Sequence, residues 1–202
     1  MARRELPDVA AAYAENLLAN EDAMTWLADR GLEPRTVFAA QLGFVREPLL
    51  PDHERMVGTL SIPYHDALGR VRSFRFRRLV GEPKYDTPQG TQGHLYRVAS
   101  SVESRVYVAE GEFDTLILEQ MGYAAVGVPG AQAFKSHWRY LFDGTTEVVL
   151  VFDGDDAGET GAERVREALG KGIRTRRVTM PNGLDVTDLY LADAVDLERR
   201  LT

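Results

Sequence analysis

The chain has 202 residues, and its 24 Lys and Arg against 31 Asp and Glu give a formal net charge of −7. A chain of this length forms one large domain or two small ones, each with its own core. Because it contains 0 Cys, disulfides, thiol nucleophiles and Cys-ligated zinc are excluded from it. No apolar run approaches the roughly 20 residues of a membrane-spanning helix, so we expect a cytoplasmic protein without a membrane partner.

The first half of the chain predicts three short helices followed by a β-hairpin. Asn20 is suited to cap a helix, Gly31 to end one, and Pro34 to begin the next. Two segments of β-rich composition then flank a turn at residues 65–69. The predicted helices cover residues 8–19, 21–30 and 34–41, and the predicted strands cover residues 56–64 and 70–79.

Basic side chains are concentrated in this hairpin, although the protein as a whole is acidic. Within residues 70–84, six Arg and Lys side chains are opposed by Glu82 alone, which favours an anionic partner. The alternative is a solvated edge strand whose charges prevent aggregation between sheets. On a regular strand, Arg72 shares a face with Phe74, and Arg77 projects from the opposite face.

The second half of the chain alternates strands with helices, which is the pattern of a parallel sheet with right-handed crossovers. We therefore predict an α+β subdomain over residues 1–104 and an α/β domain over residues 105–202. The predicted strands of the α/β domain cover residues 105–109, 124–128, 147–152 and 173–179, and its predicted helices cover residues 112–121, 132–140 and 157–169.

Acidic side chains follow the strands of this predicted sheet, where open parallel sheets bind their ligands. Glu110 comes directly after the first strand, and the other carboxylates follow later strands: Asp153, Asp155, Asp185 and Asp188. Two carboxylates 4 Å apart repel each other by about 4 kcal/mol at an effective dielectric of 20. A hard divalent cation, Mg²⁺ or Mn²⁺, offsets this repulsion and keeps coordination positions for substrate phosphates.

Such a site favours phosphoryl or nucleotidyl transfer, in which metal ions neutralise phosphate oxygens and align the attacking hydroxyl. The alternative is that the acidic residues are merely solvated in loops. A calcium-binding loop starting at Asp153 is rejected, because Ala157 and Arg164 stand where that loop needs oxygen ligands.

These motifs resemble the TOPRIM domain, a fold shared by DnaG-type primases, topoisomerases and some nucleases. Its Glu-Gly-x-x-Asp motif matches Glu110 and Asp114, and its Asp-x-Asp motif matches Asp153 and Asp155. The resemblance implies a Rossmann-like parallel sheet flanked by helices, preceded by a smaller α+β subdomain. It also implies that Glu110 is a catalytic acid/base or metal-binding carboxylate, that Asp153 and Asp155 are catalytic metal ligands, and that Asp114 is a secondary acid.

A third acidic motif and the N-terminal half narrow the resemblance from TOPRIM proteins in general to primases. Asp185 and Asp188 resemble the third acidic motif of primases, which holds a second metal ion, although their spacing is one residue longer than in bacterial primases. The resemblance covers roughly residues 20–192 and favours a primase core over a topoisomerase. The matching N-terminal segments are TWLADRGL at 25–32, QLGF at 41–44, SIPY at 61–64, GRVRSFRFR at 69–77 and PKY at 83–85.

The resemblance implies an RNA polymerase of primase type that joins ribonucleoside triphosphates on single-stranded DNA with two or more Mg²⁺ or Mn²⁺ ions. In that family the basic subdomain holds the template and the incoming nucleotide. We therefore expect Arg72, Arg77 and Lys84 to contact phosphates. Tyr85 is a base-stacking or packing residue.

Two other parts of bacterial primases have no counterpart in this sequence, since no zinc-binding domain precedes residue 8 and no helicase-binding domain follows residue 201. We therefore expect an excised core or a phage primase subunit acting in the host cytoplasm. A separate zinc-binding primase subunit and a replicative helicase are its candidate partners. Two alternatives stay open: a metal-dependent TOPRIM nuclease, and a non-catalytic subunit that binds single-stranded DNA.

Overall fold

The computed structural model describes residues 5–130, 133–181 and 183–202. The chain divides into two compact units, one ending at Gln92 and the other beginning at Gly93. The division precedes the boundary that we drew at residues 104/105, because Tyr96 forms an isolated antiparallel bridge with Gly127 of the second unit's sheet. Among the described residues, no helix has both the length and the apolar character needed to cross a bilayer.

The first unit combines helices with a four-stranded antiparallel sheet in the order β1-β2-β3-β4. The three predicted helices and the hairpin are confirmed, and the Asn20 side chain caps the second helix by accepting from the Ala23 N–H. Strands β1 and β4 have two residues each, too few to show periodicity in the sequence. The elements are α1 Leu6–Leu18, α2 Glu21–Ala28, α3 Pro34–Ala39, β1 Gly43–Phe44, a 3₁₀ helix Pro51–Met56, β2 Thr59–His65, β3 Val71–Arg78 and β4 Tyr85–Asp86.

A bulge in the hairpin changes the direction of Arg72. Tyr64 pairs with Ser73 whereas His65 pairs with Val71, so the ladder passes over Arg72. Phe74 is buried and Arg72 is exposed. The prediction that these two side chains share a face is therefore wrong, because the extra residue reverses the alternation at that point.

The second unit contains the predicted parallel sheet, in the order β6-β5-β7-β8. The helix predicted over residues 132–140 begins outside the described residues, which show a 3₁₀ helix at Ser136–Phe142. Helix α6 was not predicted, and its backbone leaves the helical region at Asp193, which interrupts the helical periodicity. The elements are a 3₁₀ helix Val98–Val102, β5 Arg105–Ala109, α4 Glu112–Gln120, β6 Ala125–Gly127, β7 Glu147–Val151, α5 Asp156–Leu169, a 3₁₀ helix Gly170–Gly172, β8 Arg174–Val178 and α6 Val186–Leu201.

The central strands of this sheet are buried on both faces. All five residues of β7 are buried, as are the last four of β5. Such continuous apolar runs are typical of parallel strands covered by helices. Trp138 and Phe142 pack into the same core as Val165 of α5. This burial fixes the positions of β5 and β7, and therefore the points at which the loops after them begin.

Candidate active site

The acidic motifs lie in loops at the carboxyl end of the parallel sheet. Glu110 follows β5, and Asp153 follows β7 after the buried Phe152. Strand β7 pairs in parallel with both β5 and β8. The loops after these three strands therefore leave the sheet at the same edge, as the sequence predicts.

Backbone hydrogen bonds join the loop after β7 to the loop after β8. The Gly154 N–H donates to the Leu184 carbonyl (3.1 Å), and the Gly183 N–H donates to the Gly154 carbonyl (3.1 Å). A Cβ atom at Gly154 would lie 2.1 Å from the Pro181 carbonyl oxygen, so only glycine fits. This close approach brings the segment that carries Asp153 next to the segment that carries Asp185.

Two of the predicted metal ligands also cap helices. The Asp155 carboxylate accepts from the Gly158 N–H (2.7 Å) at the start of α5, and the Asp185 carboxylate accepts from the Asp188 N–H (2.6 Å) at the start of α6. An aspartate at this position satisfies a helix N–H that has no partner within the helix. The caps hold Asp155 and Asp185 at defined points of the site, a role that we did not predict.

Asp114, the second acid of the first motif, is buried on α4. Its Oδ1 accepts from the main-chain N–H of Thr187 (3.2 Å) and from the Thr187 hydroxyl (2.9 Å). Burial raises the pKa of Asp114 to about 8, and repulsion from Asp185 and Asp153 adds to the rise. Asp114 therefore holds a proton to higher pH than an exposed aspartate does, and its hydrogen bonds connect α4 to the first turn of α6.

Asp153 interacts electrostatically with the four other acids predicted as metal ligands. Partial burial raises its pKa to about 7, and the other four carboxylates contribute further in the order Glu110, Asp185, Asp155, Asp188. The structure thus brings together the five acids that the sequence singled out as metal ligands. Their roles as ligands stay a prediction.

The cluster fits a hard divalent cation by its chemistry. All of its side-chain donors are carboxylate oxygens, the ligands that Mg²⁺ and Mn²⁺ prefer. A cation would also relieve the repulsion that raises the pKa of Asp153. Within residues 5–130, 133–181 and 183–202, no three acidic or histidine side chains are close enough together to hold one ion in the present arrangement.

Sequence analysis missed Arg177, a cation at the same sheet edge. Its guanidinium donates to the main-chain carbonyls of Phe152 and Asp153, each at 3.1 Å. No local pattern distinguishes Arg177 from Arg174 or Arg176 on the same strand. Its position depends on the pairing of β8 with β7, which the sequence does not display.

The predicted nucleic-acid residues belong to the first unit, where aromatic rings and guanidinium groups alternate. The Arg77 guanidinium carbon lies 5.4 Å from the ring centroid of Trp26 and 5.0 Å from that of Tyr85. Arg30 covers the Trp26 ring at 3.4 Å, and Arg75 covers the Tyr85 ring at 4.1 Å. From the sequence Trp26 is a packing residue alone, and this cation–π arrangement is not predicted.

Three of the four predicted contacts lie together. Arg77 donates to the Lys84 carbonyl (3.3 Å), and it pairs with Tyr85 across β3 and β4. Lys84 is exposed. Arg72 lies separately at the other end of β3, beside the hairpin turn.

The sequence of this chain is similar to those of several known proteins. The Toprim-like family model matches residues 107–190. The Gene 57 protein of Mycobacterium phage D29 is 40% identical over 151 residues, which cover 70% of this chain and 97% of that protein.

Two DNA primases match over part of their length. The DNA primase of Synechococcus elongatus is 34% identical over 158 residues, which cover 69% of this chain. The DNA primase of Aquifex aeolicus is 26% identical over 234 residues, 94% of this chain. The chain spans only 23% and 46% of the lengths of these two primases.

Solved structures resemble the chain over nearly its full length. A DNA primase domain from Pseudomonas aeruginosa matches with a TM-score of 0.80 and 26% identity, covering 97% of this chain and 76% of the other. The zinc-binding and RNA polymerase domains of Aquifex aeolicus primase match with a TM-score of 0.84 and 24% identity, covering 97% and 59%. The second likeness shows the shared fold alone.

Proposed function

Because this chain belongs to the family of the phage Gene 57 protein, contains a Toprim-like region and resembles DnaG-type primase catalytic cores, we propose that it synthesises short RNA primers on single-stranded DNA. The observation that carries the proposal is that four other carboxylates act electrostatically on Asp153 at the carboxyl edge of the parallel sheet. Metal-dependent nucleotidyl transfer needs such a concentration of oxygen ligands.

The proposed reaction joins two nucleotides. The 3′-hydroxyl oxygen of one bonds to the α-phosphorus of a ribonucleoside triphosphate, the bond from that phosphorus to the bridging oxygen breaks, and pyrophosphate leaves with its electron pair. In this proposal the hydroxyl proton passes to water. A bound divalent cation supplies charge neutralisation at the phosphate oxygens.

The acidic residues divide into two groups in this proposal. Glu110, Asp153 and Asp155 would hold Mg²⁺ or Mn²⁺, which would neutralise charge on the phosphate. Asp185 and Asp188, at the start of α6, place a second ion. Because Asp155 and Asp185 are held as helix caps, their main chain does not need to reorganise when an ion binds.

The basic residues of the first unit bind the phosphates of template and nucleotide in this proposal. Lys84 is exposed, and Arg77 is held between two aromatic rings, which reduces the side-chain entropy lost on binding. Tyr85 is covered by Arg75 and serves to hold these cations. Arg72 contacts phosphate separately, at the hairpin end of β3.

The test is primer synthesis from ribonucleoside triphosphates and Mn²⁺ on single-stranded DNA. We expect the product to fall at least about a hundredfold in Asp153→Ala and in Asp155→Ala, as for the loss of a principal transition-state contact. Asp156→Ala is the matched control, since Asp156 is an exposed acid next to Asp155, at the first position of α5. Equal product from all the variants would contradict the assignment.

Measurements of strand cutting, of Mn²⁺ binding and of binding to single-stranded DNA separate the alternatives. Strand cutting that needs no nucleotides would identify a nuclease. Absence of Mn²⁺ binding, together with salt-sensitive binding of single-stranded DNA, would identify a non-catalytic subunit. Either result would overturn the proposed polymerase.

Partners are a further part of the proposal. Since this chain has 0 Cys, recognition of initiation sites through Cys-ligated zinc would come from a separate zinc-binding primase subunit. A replicative helicase is the second proposed partner. Similarity to a phage protein supports action in the cytoplasm of a bacterial host.

A further inference from the structure

Arg177 on β8 uses all three nitrogens of its guanidinium group at the edge of the candidate site. Nη1 donates to the Phe152 carbonyl (3.1 Å) and Nη2 donates to the Asp153 carbonyl (3.1 Å). Nε faces the Glu159 carboxylate at 3.4 Å. The Arg177 side chain is only 22% exposed, whereas that of Glu159 is 73% exposed. The carbonyl contacts are therefore the more shielded part of this arrangement.

The carbonyls that Arg177 binds lie just beyond the sheet. The β7–β8 ladder ends where Val151 pairs with Val178, so the next residues of the β7 chain have no strand beside them. The guanidinium supplies these two carbonyls with the hydrogen-bond donors that a neighbouring strand would otherwise provide. Hydrogen bonds to a charged donor are stronger than those between neutral groups, which makes this contact an effective anchor.

The same loop is held from its other side by Gly154. Its N–H donates to the Leu184 carbonyl, and its carbonyl accepts from the Gly183 N–H. Asp153 thus lies between two anchor points on its own main chain.

We propose that Arg177 is a positioning residue, which holds the main chain at Asp153 so that its carboxylate stays in the acidic cluster and can bind a divalent cation. The inference rests on the proposed function, in which Asp153 is a metal ligand. Arg177 acts through the backbone and touches neither substrate nor metal. Groups that orient metal ligands typically change metal affinity by about 10- to 100-fold when removed.

Mn²⁺ titration by calorimetry tests the proposal on the full chain. We expect Arg177→Met to weaken Mn²⁺ binding about tenfold and Arg177→Lys to recover part of the loss, since Lys keeps a charged donor. Glu159→Gln should change the affinity less than twofold, because it leaves both carbonyl contacts intact. Arg174→Met is the matched control, an arginine at the other end of β8 whose side chain is 76% exposed.

Two further measurements separate positioning from general damage. Affinity for single-stranded DNA and the thermal midpoint of Arg177→Lys should match the wild type while its Mn²⁺ affinity stays lower. If Arg177→Met does not fold, the Arg177→Lys and Arg177→Gln variants decide the outcome. If Arg177→Lys or Arg177→Gln folds and binds Mn²⁺ as tightly as the wild type, the proposal is wrong.

Asp153→Asn distinguishes the two hypotheses from each other. If Asp153→Asn binds Mn²⁺ as tightly as the wild type, the proposed metal role of Asp153 fails, and the inference about Arg177 fails with it. If Asp153→Asn loses binding and the folded Arg177 variants keep it, only the inference about Arg177 fails.

Discussion

The carboxylate of Asp114 accepts hydrogen bonds from both the main-chain N–H and the hydroxyl of Thr187, a residue 73 positions later in the chain. Through this pair the first acidic motif, on α4, is attached to the first turn of α6, which Asp185 caps. Asp114 therefore connects the segment that follows β5 to the segment that follows β8.

Removing the Thr187 hydroxyl should destabilise the protein. Thr187→Val keeps the shape of the side chain but leaves a buried acceptor with one donor fewer, at a cost of about 1–3 kcal/mol. The measurement is urea unfolding at neutral pH without metal. Thr187→Ser, which keeps the hydroxyl, is the control and should lose less. Equal stabilities for Thr187→Val and the wild type would show that the hydroxyl contributes nothing.

The stability of the second unit in the metal-free chain should fall as pH rises from about 4 to 8. The pKa values of Asp114 and Asp153 are raised to about 8 and about 7 in the folded chain, while an unfolded aspartate has a pKa of about 3.9. The folded state therefore binds more protons in this window, and stability decreases with rising pH until both groups are ionised. Urea unfolding at pH 5 and pH 8 in EDTA measures the slope.

Asp114→Asn is the variant that tests this assignment. It removes one of the two raised carboxyls, so the loss of stability between pH 5 and pH 8 should become smaller than in the wild type. An unchanged slope in Asp114→Asn would mean that Asp114 is ionised in the folded chain throughout this range.

The first unit should show the opposite pH dependence, because of His53. The Nδ1 atom of this buried histidine shares a hydrogen bond with the Tyr13 hydroxyl (3.0 Å), which also accepts from the Leu49 N–H. Burial lowers the pKa of His53, and Asp52 opposes part of the change. As pH falls below about 6.5, the unfolded chain gains a proton that the folded chain does not bind, so stability decreases.

The fluorescence of Trp26 in a Trp138→Phe background reports unfolding of the first unit. Between pH 7 and pH 5 the urea midpoint should fall in this background. His53→Gln, which keeps a polar group for Tyr13, should lower the midpoint at pH 7 but reduce its change with pH. If the midpoint changes with pH equally with and without the His53→Gln substitution, the effect belongs to another group.

Adding a methyl group at Gly154 should disrupt the site loop. In Gly154→Ala the new Cβ would lie 2.1 Å from the Pro181 carbonyl oxygen, so the two loops must separate. We expect a loss of about 1–3 kcal/mol in the free energy of unfolding, with weaker Mn²⁺ binding. Gly172→Ala is the control, because a Cβ there has nothing within 4 Å. Equal effects at both positions would contradict the close loop contact.

Replacing Lys84 should remove one phosphate contact. Lys84→Met is expected to lower the slope of log affinity against log salt by about 0.7 for single-stranded DNA, with little change in stability because the residue is exposed. Fluorescence anisotropy at several salt concentrations measures it. Arg35→Met is the control, since Arg35 is 73% exposed on α3 and pairs with Glu33. A slope equal to that of the wild type would remove Lys84 from the interface.

Much of the candidate site was predictable because its signals are local. Glu110 and Asp153 follow short apolar runs of the kind that buried strands have, and parallel strands bring the acids at their ends to one edge. The basic composition of the hairpin was equally visible. The direction of Arg72 was not, because a bulge depends on how two strands pair and leaves no mark on either strand alone.

The sequence by itself determined the class of the fold, the acidic edge and the basic hairpin, since apolar runs, helix caps and charge lie in short windows. Only the tertiary structure decided that Asp114 bonds to Thr187 and that Arg177 holds the carbonyls beside Asp153. Those contacts join segments 73 and about 25 residues apart. They depend on strand register and on the path of α6, which arise from packing the whole unit and not from any residue's own preference.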